Sequence, residues 1–189
     1  ANFTYNKNEI INLGGIERII GEWGSQFIGE PLNTIYRVKT IGIWQLGEEE
    51  EAAVYGAEPG YYKYEDVNND GSIDSENDRQ IIGKTQPDKY YGLTTNLNYG
   101  NFEFSFFLQG AAGYLLFGGN KSDRFDGRGN EMKITMDHWT PDNPSNQVPK
   151  FTMQYHVGAG SWVFEPGDYL RLKNMSLAYN VPDRILNNW

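Results

Sequence analysis

Residues 90–110, YYGLTTNLNYGNFEFSFFLQG, carry the clearest alternation of apolar and polar positions in the chain. Tyr91, Leu93, Thr95, Leu97 and Tyr99 alternate with Gly92, Thr94, Asn96 and Asn98. A period of two marks a strand with two unlike faces. Gly100-Asn101 then suits a tight antiparallel turn. The returning strand places Phe102, Phe104, Phe106 and Leu108 on one face, and Glu103, Ser105, Phe107 and Gln109 on the other.

A further strand is expected within residues 168–182, DYLRLKNMSLAYNVP, where Met175, Leu177 and Tyr179 alternate with Asn174, Ser176 and Ala178. Pro182 ends it, having no N–H for a ladder. Earlier, residues 17–28 and 33–45 read as two strands broken at Gly29-Glu30-Pro31. One short helix is expected around Glu131–His138, stopped by WTPDNP. The connections are unequal: the turn at 100–101 is tiny, whereas 46–89 and 111–167 are very long. Loops beyond about 15 residues usually carry function.

Composition narrows the class. Among 189 residues there are 13 Tyr, 10 Phe, 5 Trp and 22 Gly, which favours short strands and turns. The net charge of −9 offers no basic patch to neutralise phosphates, so nucleic acid is excluded as a partner. With no cysteine, neither a disulfide framework nor a thiolate metal site is possible. No signal peptide is expected in ANFTYNKNEI, and no run of 18 apolar residues predicts a transmembrane helix.

The fold class is therefore all-β, built from antiparallel strands and hairpins. Two architectures give the observed alternation. A soluble sandwich turns the apolar face inward, whereas a membrane barrel turns it to lipid with aromatics at the interfaces. Short turns at one end and long loops at the other are the rule for outer-membrane barrels, and the unequal connections favour that reading.

The candidate chemistry lies in an acidic loop resembling that of an EF-hand, residues 64–83. Counted from Asp66, positions 1, 3 and 5 are Asp66, Asn68 and Asp70; Gly71 takes the sharp turn at 6, Ser72 offers a carbonyl at 7, and Asp74 stands at 9. Position 12, usually a bidentate Glu, is Asn77, and Asp78 follows as the expected closing ligand. Six acids in residues 65–78 without a base repel one another unless an ion or solvent separates them. A Ca²⁺ ion is the expected occupant, and a solvated turn built on Asx bonds is the competing reading.

Other candidates are weaker. His138 and His156 lack metal-ligand spacing, and Glu48–Glu51 reads as a solvated charge run. Asp123, Asp126 and Glu131 could supply a carboxylate pair, but Arg124 and Arg128 make local pairing the simpler reading. Trp139, Tyr155, Trp162 and Phe164 offer aromatic faces for a sugar ring or peptide side chain, with packing among the loops the equal alternative. No nucleophile motif or phosphate loop is present, and no enzyme is expected.

Several stretches, in order, resemble the TonB-dependent outer-membrane transporters of the SusC/RagA type. These are the acidic loop Asp66–Gly71, Ile81–Gly83, the Pro87–Gly92 lead-in to the hairpin, Trp139-Thr140 before a Pro/Asn-rich loop, and Tyr169–Pro182. In the family an Asp commonly stands at position 12 of the loop, so this loop is one residue longer. The resemblance implies a large plugged barrel of 22 strands, of which this chain supplies about six. Residues 1–189 are then expected to be a fragment of the barrel domain, without plug, TonB-contact segment, signal peptide or last strands.

The implied function is wall and extracellular loops of a transporter that imports glycans or peptides. Its implied partners are outer-membrane lipid, TonB through the missing N-terminal part, and a SusD-like surface lipoprotein. A different class remains as the rival: a soluble secreted β-domain that binds calcium and carbohydrate and buries Phe102, Phe104 and Phe106 in its own core.

Overall fold

The computed structural model describes residues 1–22, 24–118, 133–151 and 160–186. In chain order the strands are β1 (Asn2–Tyr5), β2 (Arg18–Ile19), β3 (Gln26–Phe27), β4 (Thr34–Val38), β5 (Thr40–Ile43), β6 (Tyr62–Tyr64), β7 (Arg79–Lys84), β8 (Lys89–Tyr99), β9 (Phe102–Ala112), β10 (Leu115–Phe117), β11 (Phe164–Pro166) and β12 (Tyr169–Tyr179). Helix α1 is Glu49–Val54 and α2 is Asp183–Leu186.

One antiparallel sheet, in the order β1-β8-β9-β12, holds the long strands. β8 and β9 form the hairpin that the alternation predicts, with Tyr99 opposite Phe102 across Gly100-Asn101. Gly100 has φ of +57°, a conformation glycine adopts without steric cost at the first central position of a two-residue hairpin turn. Residues opposite one another in an antiparallel pair share a face. The register therefore groups Leu93, Leu108 and Leu172 in one row, Thr95, Phe106 and Met175 in the next, then Leu97, Phe104 and Leu177, and last Tyr99, Phe102 and Tyr179. Phe3 stands opposite Tyr91 at the other end.

The same face stays apolar along β12 only because of a bulge. Leu170 and Leu172 are out of phase with Met175, Leu177 and Tyr179 by one residue, and the register shifts between Leu172 and Asn174. A bulge puts two residues against one, so all five apolar side chains reach one face. The opposite face carries Thr94, Asn96, Ser105, Gln109, Arg171, Asn174 and Ser176, with Phe107 their one large apolar neighbour on β9.

Among the described residues none packs over the apolar face to close it into a core. Leu97 is 56% exposed, Leu177 70% and Met175 64%. A Leu or Phe that stays in water forgoes about 1.5–3 kcal/mol of burial, so a sandwich would place this face inside. The soluble rival is not what this sheet builds. From the Tyr91 row to the Tyr99 row the strand rises about 27 Å. At the usual tilt that is about 20 Å of height, close to the apolar band of an outer-membrane barrel, about 25 Å.

The core lies instead in the connections. Ile43, Tyr62 and Trp139 pack with Tyr64 and Trp162; among the described residues Ala111 is the one buried hydrophobic that belongs to the sheet. Residues 6–88 join β1 to β8 and contain the pairs β2–β3, β4–β7 and β5–β6; residues 113–168 join β9 to β12 and contain the pair β10–β11. The expected strands 17–28 and 33–45 are thus corrected. The first is two dipeptide strands paired with each other, Arg18 opposite Phe27. The second divides at Lys39, β4 pairing with β7 and β5 with β6. Gly83 (φ +156°) and Gly42 (φ +146°) sit at the two register shifts, where only glycine is comfortable. The sheet has four long-sheet strands, not six, and the first long connection starts at residue 6, not 46.

Two local expectations also change. Glu49, Glu50 and Glu51 are exposed, as a solvated run should be, but they are ordered as the first turn of α1, where negative charge complements the helix dipole. The expected helix at 131–138 is a 3₁₀ turn, Lys133–Asp137.

The two faces make unlike predictions. Phe104→Arg should cost about 2–4 kcal/mol when the sheet stands in a bilayer, read as a lower unfolding midpoint in liposomes. Ser105→Arg, one residue on but on the polar face, should cost far less; equal losses would contradict the assignment of faces. Gly110→Ala tests the packing, since a Cβ there runs into the Tyr91 ring and stands 2.5 Å from the Tyr169 carbonyl oxygen. Overpacking of this kind costs about 1–3 kcal/mol, and a thermal melt should show it.

Candidate functional site

The acidic loop leaves β6 at Tyr64 and enters β7 at Arg79. It is stapled by its own carboxylates. Asp66 Oδ1 accepts the Asn69 N–H at 2.7 Å, and its Oδ2 accepts the Gly71 N–H at 2.9 Å. Asn68 Oδ1 accepts from the Asp70 amide at 3.1 Å, and Asp70 Oδ1 from the Ser72 amide at 2.8 Å. Asn69 (φ +58°) and Gly71 (φ +79°) take the left-handed conformations that turn the chain around Asp66. Asp74 Oδ1 accepts from the Glu76 and Asn77 amides. Those bonds, with the Asn77 side-chain amide, hold the Asp74 carboxyl below the usual carboxylate range, the Asn77 backbone N–H contributing most.

Asp78 has a different place. It is fully buried; its Oδ1 accepts the Val67 N–H at 2.9 Å and its Oδ2 the Asp74 N–H at 2.8 Å. One carboxylate thus clamps both arms of the loop. Asn77, the alternative at the closing place, instead bonds Asp74 through its side chain. Among the described residues no three His, Asp or Glu side chains gather in an arrangement that could hold a metal ion.

Helix α1 supports the loop from beside it. The Tyr55 hydroxyl donates to Asp66 Oδ2 at 3.4 Å, and a Cβ at Gly71 would stand 3.5 Å from Val54. Tyr55 stacks on Trp44 with centroids 6.0 Å apart. The Lys63 ammonium lies 4.0 Å over the Trp44 ring and bonds Glu48 at 2.9 Å. The Glu48 carboxyl is held low, by the Gln45 backbone N–H first and by Lys63 second.

The four loop aromatics divide. Trp139 is only 6% exposed, and its Nε1–H donates to Gln45 Oε1 at 2.9 Å. It packs in the core and offers no face to a ligand. Trp162 is half-buried and stacks on Tyr62 at 5.1 Å. Phe164 packs edge-on against Phe117 at 5.7 Å, with the Arg37 guanidinium 5.9 Å from its ring centre. Burial raises the Tyr62 and Tyr64 hydroxyls well above their ordinary value. Tyr155, His156, Asp123, Asp126 and Glu131 lie outside the described residues.

Sequence reasoning missed what joins the two connections. Trp139 reaches Gln45; Asn146 Oδ1 accepts the Ile43 N–H at 2.9 Å; Ser161 Oγ accepts the Thr40 N–H at 2.8 Å. These partners stand 94, 103 and 121 residues apart, and no local pattern announces them. Also unforeseen is a cleft of about 400 Å³ where the connections meet the sheet, between Pro31, Ile81, Ile82, Tyr114, Leu115 and Pro166, with Lys84 and Asp168 on its wall.

No family model matches the chain. It is 33% identical to the TonB-dependent receptor P26 of Formosa agariphila over 94% of this chain and 19% of that protein. It is 29% identical to the TonB-dependent receptor P3 of the same organism over 98% of this chain and 20% of that one. The chain therefore spans about a fifth of the length of these relatives. Among solved structures, that of the RagAB peptide transporter matches with a TM-score of 0.71 and 21% identity, over 97% of this chain and 20% of that chain. The RagAB peptide importer in an open-open state matches with a TM-score of 0.70 and 20% identity, over the same shares. TonB-dependent receptors are outer-membrane proteins, and the bare apolar face of the sheet belongs against lipid. Sequence and fold together make this chain a wall-and-loop segment of an outer-membrane TonB-dependent receptor with the SusC/RagA-type barrel fold.

Proposed function

We propose that the whole protein imports glycans or peptides across the outer membrane, driven through TonB, with a SusD-like surface lipoprotein over its mouth. The observation that carries this reading is the division of the chain into an apolar-faced sheet and two long connections that own the core. A wall segment needs the first, and a ligand-gathering surface needs the second. The peptide importer among the structural neighbours favours peptides. Uptake of labelled oligopeptides and oligosaccharides by cells with and without the receptor, and with and without TonB, tests it. Unchanged uptake of both classes on deletion would end the proposal.

The wall is oriented with the Gly100-Asn101 turn in the periplasm, so that β1 and β9 ascend, β8 and β12 descend, and connections 6–88 and 113–168 lie outside the cell. Short periplasmic and long external connections are the outer-membrane pattern. Asp142→Cys, in the exposed part of the second connection, should react with a membrane-impermeant maleimide on intact cells. Labelling only after the outer membrane is ruptured would invert the topology.

The acidic loop is proposed to take Ca²⁺ by drawing together oxygens of Asp66, Asn68, Asp70 and Asp74 and the Ser72 carbonyl, with Asp78 closing; the described arrangement does not yet gather them. The donor set suits a hard cation: all oxygen, mostly anionic, on a loop that turns at position 6. The amide bonds described above leave lone pairs on these oxygens, since a carboxylate accepts at about four sites. Lacking a bidentate Glu, the loop should bind in the extracellular range, about 10⁻⁴–10⁻³ M.

Millimolar Ca²⁺ should slow proteolysis of residues 64–83 relative to chelator; identical digestion would leave only an acidic turn. Asp78→Ala should loosen the loop whether or not calcium is present, because two part-buried N–H groups lose their acceptor, at about 1 kcal/mol each. Acid should act too. The Asp74 carboxyl is depressed in the folded loop, so its support is present above the ordinary carboxylate range and is lost as pH falls through its lowered value. Protection against proteolysis should fall in the same direction.

A further inference from the structure

Residues 7–32 form an arm that rises directly from the edge strand β1. Its base is pinned: Asn8 Oδ1 accepts the Leu32 N–H at 2.8 Å, the Ile10 N–H donates to Glu30 O at 3.0 Å, and the Gly29 N–H donates to Ile10 O at 2.9 Å. β2 pairs with β3 inside it. Among its described residues the arm buries Ser25 and half-buries Ile10, Leu13, Gln26 and Phe27, yet it leaves most of its aliphatic side chains open. Ile11 is 86% exposed, Ile16 54% and Ile28 53%, and Ile19, Ile20 and Leu32 are exposed as well. Six exposed aliphatic side chains on one short, folded projection are far more than the scattered surface apolars of a finished protein.

Three occupants are available: lipid, a separate lid protein, and the receptor's own neighbouring loop. Charge argues against lipid headgroups. The arm carries Lys7 and Arg18 against Glu9, Glu17, Glu22 and Glu30, and an acidic surface is repelled by anionic headgroups. Position argues for the neighbour. β1 is the end of the sheet order β1-β8-β9-β12, so the wall strand that continues the barrel lies against its free edge, about 5 Å away. The chain spans about a fifth of its relatives, so the remaining length is ample to supply that strand. If β1 ascends, that neighbour descends, and the loop feeding it stands beside the base of the arm.

We propose that the exposed isoleucines of residues 11–32 dock on the extracellular loop feeding the wall strand next to β1, within the same receptor, and that the contact exists without lipid and without a lid protein. This rests on the outward placement of connection 6–88 proposed above.

The test uses the full-length receptor purified in detergent without its lipoprotein, its barrel fold checked by heat-modifiable gel mobility. Ile16→Cys and, as a reference, Asp142→Cys are reacted with a maleimide. Labelling of Ile16→Cys at least tenfold slower than Asp142→Cys is the expected result. Equal rates in the receptor alone overturn the proposal. So does protection that arises only on adding the lipoprotein, which assigns the face to the lid, or only in liposomes, which assigns it to lipid. The intact-cell labelling of Asp142→Cys reads the topology separately, so a failure there is distinguishable from a failure of the docking.

Discussion

A strand in hydrocarbon has no water for its backbone, so each N–H and C=O must find a partner in another strand. That constraint orders this structure. It explains why β8, β9 and β12 each run eleven residues with near-unbroken pairing, while the strands of the connections run two to six. Once pairing is obligatory, the side chains have only two directions to choose from. One direction became apolar and the other polar. Everything that needs a globular core had to move off the sheet, and it moved into the connections.

The alternation was legible because it is local. Leu93 to Tyr99 and Phe102 to Leu108 reveal their faces through their nearest neighbours, and Gly100-Asn101 marks the turn between them. The resemblance carried by Tyr169–Pro182 was legible for the same reason. β1 alternates as well, Phe3 and Tyr5 against Asn2 and Thr4, but four residues are too short to speak alone. The misreadings share one cause. Residues 33–45 have the composition of one strand, and nothing in them states that Gly42 and Gly83 break the register or that two different partners take the halves. α1 was hidden by its own exposed acids, since the one residue it buries, Ala52, leaves no apolar stripe to read.

The acidic loop shows the same boundary. Asp66, Asn68 and Asp70 announced a turn with Gly71, because each accepts from amides two to five residues away. Asp78 gave no sign of being buried. Its part depends on tying Val67 to Asp74 inside a packed setting, so spacing marked a candidate ligand without showing that the same carboxylate clamps the loop. Trp139 differs only in distance: its aromatic face looked available because the residues that cover it, Ile43 and Tyr62, come from the other connection.

The bulge between Leu172 and Asn174 bears on shape as well as on facing. In a cylinder of many strands each strand turns through a small angle, and a regular ladder has no preferred place to bend. An extra residue increases the local twist and bends its strand. Without Lys173, Asn174 and Met175 would keep the faces they have now, so alternation alone does not require that residue. What it supplies is curvature: at this height the bend of the wall is written in the length of one strand.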